Sequence, residues 1–153
     1  MHTRRKLPDR EHVFITSLMY HGFRLTSSRT NLKFRSGYVI PATRREDSGG
    51  IDAWVKMPRD TRLVPIQITQ RGSRLFRKHQ KPHGLTPEKL EEFQRRSDSR
   101  LRTKRAFCRV NKIAFVLVRD FDGRVTNTTL AWGDIKALRY AISRVRSTKG
   151  TSH

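Results

Sequence analysis

Acid is scarce in this chain: 13 Asp and Glu stand against 34 Lys and Arg among 153 residues, a formal net charge of +21. Such a field repels itself and calls for an anionic partner. Nucleic acid leads, because Lys and Arg neutralise its phosphates. A membrane surface ranks below it, since no strongly amphipathic basic helix with a Trp/Phe face is evident. Cysteine is nearly missing. Cys108 stands alone, so no disulfide forms within the chain, which fits a reducing, cytoplasmic compartment. Long apolar runs are missing too. Nothing is long enough to cross a bilayer, and no apolar stretch follows the basic start Met1–Pro8 as a secretory signal requires. The hydrophobic share of 35% limits the core to a small one, or one covered by long basic side chains. No repeat or linker divides the chain, so residues 1–153 are expected to form one domain with frayed ends near 1–8 and 147–153. There is no Gly-rich phosphate loop, serine-nucleophile elbow or zinc-finger spacing. His79 and His83 are spaced i, i+4, but they lie in a basic stretch and form no metal set.

The patterning predicts a helix from Asp9 to His21, with Val13, Phe14, Leu18 and Met19 on one stripe and Gly22 as its cap. A basic stretch with Arg24, Arg29, Lys33 and Arg35 follows as a loop or ragged strand. Three strands are then expected at Tyr38–Ile40, Ile51–Val55 and Leu63–Thr69, the last two joined as a hairpin through Met57–Thr61. Pro65 points to an edge strand or to a strand's first residues. Thr86-Pro87-Glu88 reads as a helix start, with the helix running to about Arg105. Lys112–Val118 reads as a buried strand and Phe121–Arg124 as a turn. Val125–Trp132 is expected to be a Thr-rich strand. Asp134 then caps a last helix, with Ile135, Leu138, Ile142 and Val145 on its inner face. The fold class is α/β, with helices packed on a mixed sheet.

Gly49-Gly50-Ile51-Asp52-Ala53-Trp54-Val55 carries an acid in an apolar run, and Val64-Pro65-Ile66-Gln67-Ile68-Thr69-Gln70 carries polar residues in the next. A carboxylate in such a setting is costly unless it is paired or holds a metal. Two readings are open for Asp52: a metal ligand, or a strand-end acid that bonds backbone amides beside the glycines. Glu46 and Asp47, just before the glycines, are either neighbours of the site or a solvated loop pair.

The order αβββαβ, with Gly-x-Asp opening the second core strand and polar-x-polar in the third, resembles the PD-(D/E)XK nuclease superfamily. That group includes restriction-endonuclease-like and Holliday-junction-resolvase-like proteins. The resemblance spans roughly Arg10 to Trp132. It implies an αβββαβ core, a nuclease activity, Mg²⁺ or Mn²⁺ as cofactor, and DNA ahead of RNA as partner, with a homodimer as one arrangement such relatives adopt. Asp52 matches the family's aspartate. Gln67-Ile68-Thr69 falls where an acid-x-Lys belongs and departs at both positions, which should weaken Mg²⁺ binding. Glu11 resembles the helical acid many members carry. On this reading Asp52, Gln67 and Glu11 are candidate metal ligands, because phosphodiester hydrolysis needs hard oxygen donors around a divalent cation. Asp52, Gln67, Thr69 and Lys56 are the candidate catalytic residues. Lys56 sits four residues beyond Asp52, an even offset that puts both on one strand face. Gln70 and Arg71 are further candidates for the missing lysine's role.

Two basic segments follow these strands. Arg71, Arg74, Arg77, Lys78 and Lys81 form an arm without acids, and Arg95, Arg96, Arg100, Arg102, Lys104 and Arg105 crowd the second half of the predicted helix. They are expected to grip phosphates, which gives affinity and register but no sequence readout. Trp54, Phe76 and Tyr38 are candidates for stacking on bases. Two rival functions stay open: a degenerate nuclease fold that binds without cutting, and an RNA- or ribosome-associated structural protein.

Overall fold

The computed structural model describes residues 10–70, 86–119 and 127–150. Helix α1, Arg10–Tyr20, leads through the two-residue strand β1, Arg24–Leu25, to β2, Tyr38–Pro41. A short helix α2, Arg44–Ser48, precedes the antiparallel hairpin of β3, Ala53–Lys56, and β4, Val64–Gln70. Helix α3, Pro87–Val110, leads into β5, Ala114–Val118, and α4, Asn127–Gly150, closes the fold. The strands form one mixed sheet in the order β1-β2-β3-β4-β5, parallel at both ends and antiparallel in the middle. No helix among the described residues is long and apolar enough to cross a membrane.

The two sheet faces differ. Val39, Ala53, Val55, Val64, Ile66, Ala114, Val116 and Val118 alternate onto one face and pack against Phe14 and Leu18 of α1 and Ile135, Leu138 and Ile142 of α4. This is the hydrophobic core. The other face carries Tyr38, Trp54, Lys56, Gln67, Thr69 and Phe115 by the same alternation. Helix α3 meets that second face: the Arg105 guanidinium sits 5.4 Å from the centre of the Phe115 ring. Helices therefore flank the sheet on both sides.

Several expectations need correction. The run from Asn127 to Trp132 is helical, and the residues before it in the expected strand, Val125 and Thr126, lie outside the described residues, as does the turn at Phe121–Arg124. Threonine's β-propensity yields here to a buried stripe through Leu130, Asp134, Leu138, Ala141 and Ile142 at helical spacing. Asp134 thus lies inside a helix, not at its cap. It is 2% exposed and receives Arg10 through Nη1 at 3.1 Å and Nη2 at 2.5 Å, with the Ser17 hydroxyl at 2.8 Å. Arg10 also donates Nε to the Arg119 carbonyl at 2.6 Å, which ties α1 to the end of β5. Helix α3 starts as expected, with Thr86 Oγ1 accepting from the Lys89 amide, but runs past Arg105 to Val110. It ends where Lys112 turns into the left-handed region at φ 58°. Pro65 stands in the interior strand β4, second from its start; pairing with β5 begins at Ile66, after the proline.

Candidate functional site

Helix α2 positions the candidate site. Thr43 and Glu46 form a capping box: Thr43 Oγ1 accepts from the Glu46 amide, and Glu46 accepts from the Thr43 amide. The sequence carried that Thr-x-x-Glu signal, although the helix was not expected. The chain leaves α2 through Gly50, whose φ of +94° favours glycine. A Cβ there would also come within 2.9 Å of the Phe107 ring on α3. Glycine therefore lets the chain turn under α3 and enter β3 at Asp52.

Asp52 sits at this entry, half-buried. Its amide donates to the Ile66 carbonyl at 2.8 Å, and its Oδ2 accepts the Ile68 amide at 2.7 Å. The carboxylate thus extends the β3–β4 ladder where backbone pairing stops, and it lies between the two residues that flank Gln67. The strand-end reading of Asp52 is therefore correct as far as the backbone bond goes. Burial pushes its pKa up, the Ile68 amide opposes that, the nearby Asp47 carboxylate adds to the rise, and Lys104 counters it. Asp47 and Lys104 are thus the charges bearing on Asp52. Burial also raises the Cys108 thiol, with Asp52 adding to the effect, so Cys108 is held as a buried thiol beside the carboxylate.

Gln67 and Thr69 share the second face at positions i and i+2, and the Thr69 hydroxyl donates to Gln67 Oε1. Asp52, Gln67 and Thr69 are therefore brought together at one end of the hairpin. Lys56 is not. It shares the face, as the even offset requires, but lies about 13 Å along the strand at roughly 3.3 Å per residue. Its buried ammonium donates to the carbonyls of Phe34 at 3.0 Å, Ser36 at 2.7 Å and Met57 at 3.3 Å. Those bonds use its three protons, so Lys56 is a structural clamp and not a water-positioning group. Glu11 lies on α1. That helix packs on the core face of the sheet, whereas Gln67 and Thr69 lie on the other face.

Arg95, Arg96, Arg100, Arg102, Lys104 and Arg105 are all exposed on α3. Arg96 forms an i, i+4 pair with Glu92 at 2.7 Å. Lys104 faces the candidate site. Sequence reasoning placed it only among phosphate contacts, because nothing local to α3 signals its proximity to Asp52. The arm residues Arg71, Arg74, Arg77, Lys78 and Lys81 lie outside the described residues, as does Phe76. Among the described residues, no cluster of three or more His, Cys, Asp or Glu side chains is arranged to hold a metal ion. The chain matches no protein-family model, no curated protein and no solved structure.

Proposed function

We propose that the chain is a nucleic-acid phosphodiester hydrolase of PD-(D/E)XK type, with DNA ahead of RNA as substrate. The observation that carries this reading is Asp52: a half-buried carboxylate kept beside a second acid, Asp47, at the mouth of a hairpin, in a chain of net charge +21. Holding two acids together costs stability, and such perturbed groups cluster at functional sites.

The donors fit a divalent cation of the Mg²⁺ class. Asp52, Asp47 and the Gln67 amide oxygen are hard oxygen donors, and one or two carboxylates are what Mg²⁺ takes when phosphate and water fill its other positions. When bound, such an ion supplies polarisation of the phosphate and a more acidic water. The chain's own residues do the rest. The Ile68 amide fixes the orientation of the Asp52 carboxylate. Thr69 holds the Gln67 amide through its hydroxyl. Lys104 takes the charge-stabilising role that a third-strand lysine fills in the PD-(D/E)XK pattern. The exposed basic residues of α3 hold the phosphate backbone in register.

The test is incubation with plasmid, branched DNA and RNA, with and without Mg²⁺ or Mn²⁺. Metal-dependent cleavage that Asp52→Ala abolishes is the expected outcome; cleavage that survives this substitution overturns the reading. A second reading is favoured by the Thr69–Gln67 hydrogen bond, which already occupies an amide oxygen the cation would use. On it, the fold binds nucleic acid without cutting. Salt-sensitive binding, inertness with either metal and no metal effect on melting would select it.

A further inference from the structure

A cavity of about 320 Å³ opens on the second face at the far end of β3 from Asp52. Leu32, Phe34 and Leu63 give it apolar walls, and Arg29, Asp60 and Thr61 add polar groups. Its walls are the segments 26–36 and 57–63, and these are stitched together. The Arg59 amide donates to the Phe34 carbonyl at 2.7 Å, and the Lys56 ammonium clamps the Phe34 and Ser36 carbonyls from below. The Tyr38 hydroxyl accepts the Lys33 amide at 3.0 Å, which holds the loop against β2. The cavity is thus built before any ligand arrives.

Its surroundings are mostly basic, although Arg29 is held by Glu46 and Arg62 lies 3.7 Å from Asp60. Arg29, Lys33, Arg35, Arg59 and Arg62 lie on the two segments, with Asp60 their sole acid. Phe34 is 55% exposed, although it borders an apolar cavity. A large aromatic side chain left at the mouth of a preformed pocket, inside a basic collar, suits a flat ring that carries phosphate.

We propose that this cavity holds one unpaired base of a nucleic-acid strand, stacked on Phe34, with its flanking phosphates on the basic collar. The inference rests on the nucleic-acid reading above and sharpens it: the preferred substrate has a single-stranded or everted nucleotide about 13 Å from Asp52, four residues of extended strand away. A base in a duplex is stacked and paired, so it cannot enter the pocket without being flipped out.

The test is fluorescence anisotropy with a labelled short single strand and with its matched duplex, using the full chain in chelator so that no cleavage intervenes. Wild type is expected to bind the single strand more tightly. Phe34→Ala should weaken single-strand binding about ten-fold, the loss of one stacked base. It should leave duplex affinity and the salt slope unchanged, because phosphate contacts set both. Phe34→Trp should restore tight binding, with its emission quenched by the strand. The Phe34 side chain is exposed and only its backbone carbonyl clamps the loops, so both variants keep the fold, which melting curves check. An unchanged single-strand affinity in Phe34→Ala, or an equal loss on duplex, overturns the base pocket while leaving the nucleic-acid reading intact. Failure of the wild-type chain to bind either nucleic acid overturns both.

Discussion

Two acids set the two faces of the sheet apart. On the core side, Asp134 is almost fully buried, yet both its oxygens meet the Arg10 guanidinium and Oδ2 also takes the Ser17 hydroxyl. On the other side, Asp52 is only half-buried, receives one backbone amide and faces another carboxylate. The more deeply buried acid is the better matched one. Burial alone therefore does not mark a functional acid; the mismatch between burial and partners does. A matched pair joins helices and leaves nothing for a ligand to complete. An under-partnered carboxylate beside a like charge is stabilised when a cation arrives. The lysines repeat the contrast. Lys56 spends its ammonium on three carbonyls, whereas Lys104, exposed on α3, bears on Asp52 through its charge.

The strongest way to break the comparison is to remove one partner of the matched pair. Asp134→Ala leaves the Arg10 charge buried and unpaired, and should cost about 3–5 kcal/mol in urea unfolding. Arg10→Met with Asp134→Leu should recover most of that loss, since an apolar pair of similar volume replaces the ions. If the double variant is no better than the single one, the pair is not a matched structural unit. Lys56→Met comes next. It leaves three carbonyls without their donor and should cost about 2 kcal/mol. Metal-dependent cleavage by the protein that remains folded should persist, because Lys56 clamps loops away from Asp52. Loss of turnover with unchanged stability would return Lys56 to the catalytic set.

Local signals in the sequence were readable and long-range ones were not. Thr86-Pro87-Glu88 announced α3 because a cap, a ring-fixed φ and an early acid act within one turn. The inner face at Ile135, Leu138 and Ile142 was legible from spacing, and the hairpin from its turn. Asp52 stood out because an acid in an apolar run is costly wherever the fold puts it. Asp134 reads locally as a cap because its partner, Arg10, lies 124 residues away. The direction of Lys56 was equally hidden: parity gives the face of a strand, but not the loop that folds over its far end. Lys104 came to the site only through the packing of Phe107 against Gly50, a contact between residues 57 positions apart.

Asp52→Asn sharpens the contrast from the other side, with a smaller and opposite effect on stability. The folded-state pKa of Asp52 is raised, so over the interval between its unfolded and folded values the native chain binds more protons. Stability contributed by this group therefore falls as pH rises through that interval, and the ionised acid is a net cost at neutral pH. The neutral amide keeps an oxygen for the Ile68 amide and removes the repulsion from Asp47. The variant should melt above wild type at pH 7, with the advantage shrinking in acid, while metal-dependent cleavage is lost. A variant that melts lower at pH 7 would show that the Asp52 charge is stabilising, as at Asp134, and would remove the distinction between the two acids.

The smallest effect is expected at Glu46, an acid on the site's side that is matched and yet accessible. Arg29 donates to both its oxygens, at 2.8 and 2.6 Å, and the Thr43 amide adds a third bond, so its pKa is lowered to about 2. The sign is opposite to that of Asp52. The stabilisation is present above the unfolded value near 4.5 and is lost as pH falls toward 2. Because the pair is solvated, Arg29→Ala should lower stability only slightly at pH 7, the smallest loss in this series. It should move the Glu46 carboxyl, followed by NMR titration, back toward the ordinary range. Arg29 also lies 5.3 Å from the centre of the Trp54 ring, between α2 and the basic loop. Its loss should therefore loosen that loop without disturbing the Asp52 titration. A coupled shift in both acids would mean that α2 and the basic loop move as one unit with the hairpin mouth, so that Asp52's poor matching would be a property of the whole assembly and not of its own few partners.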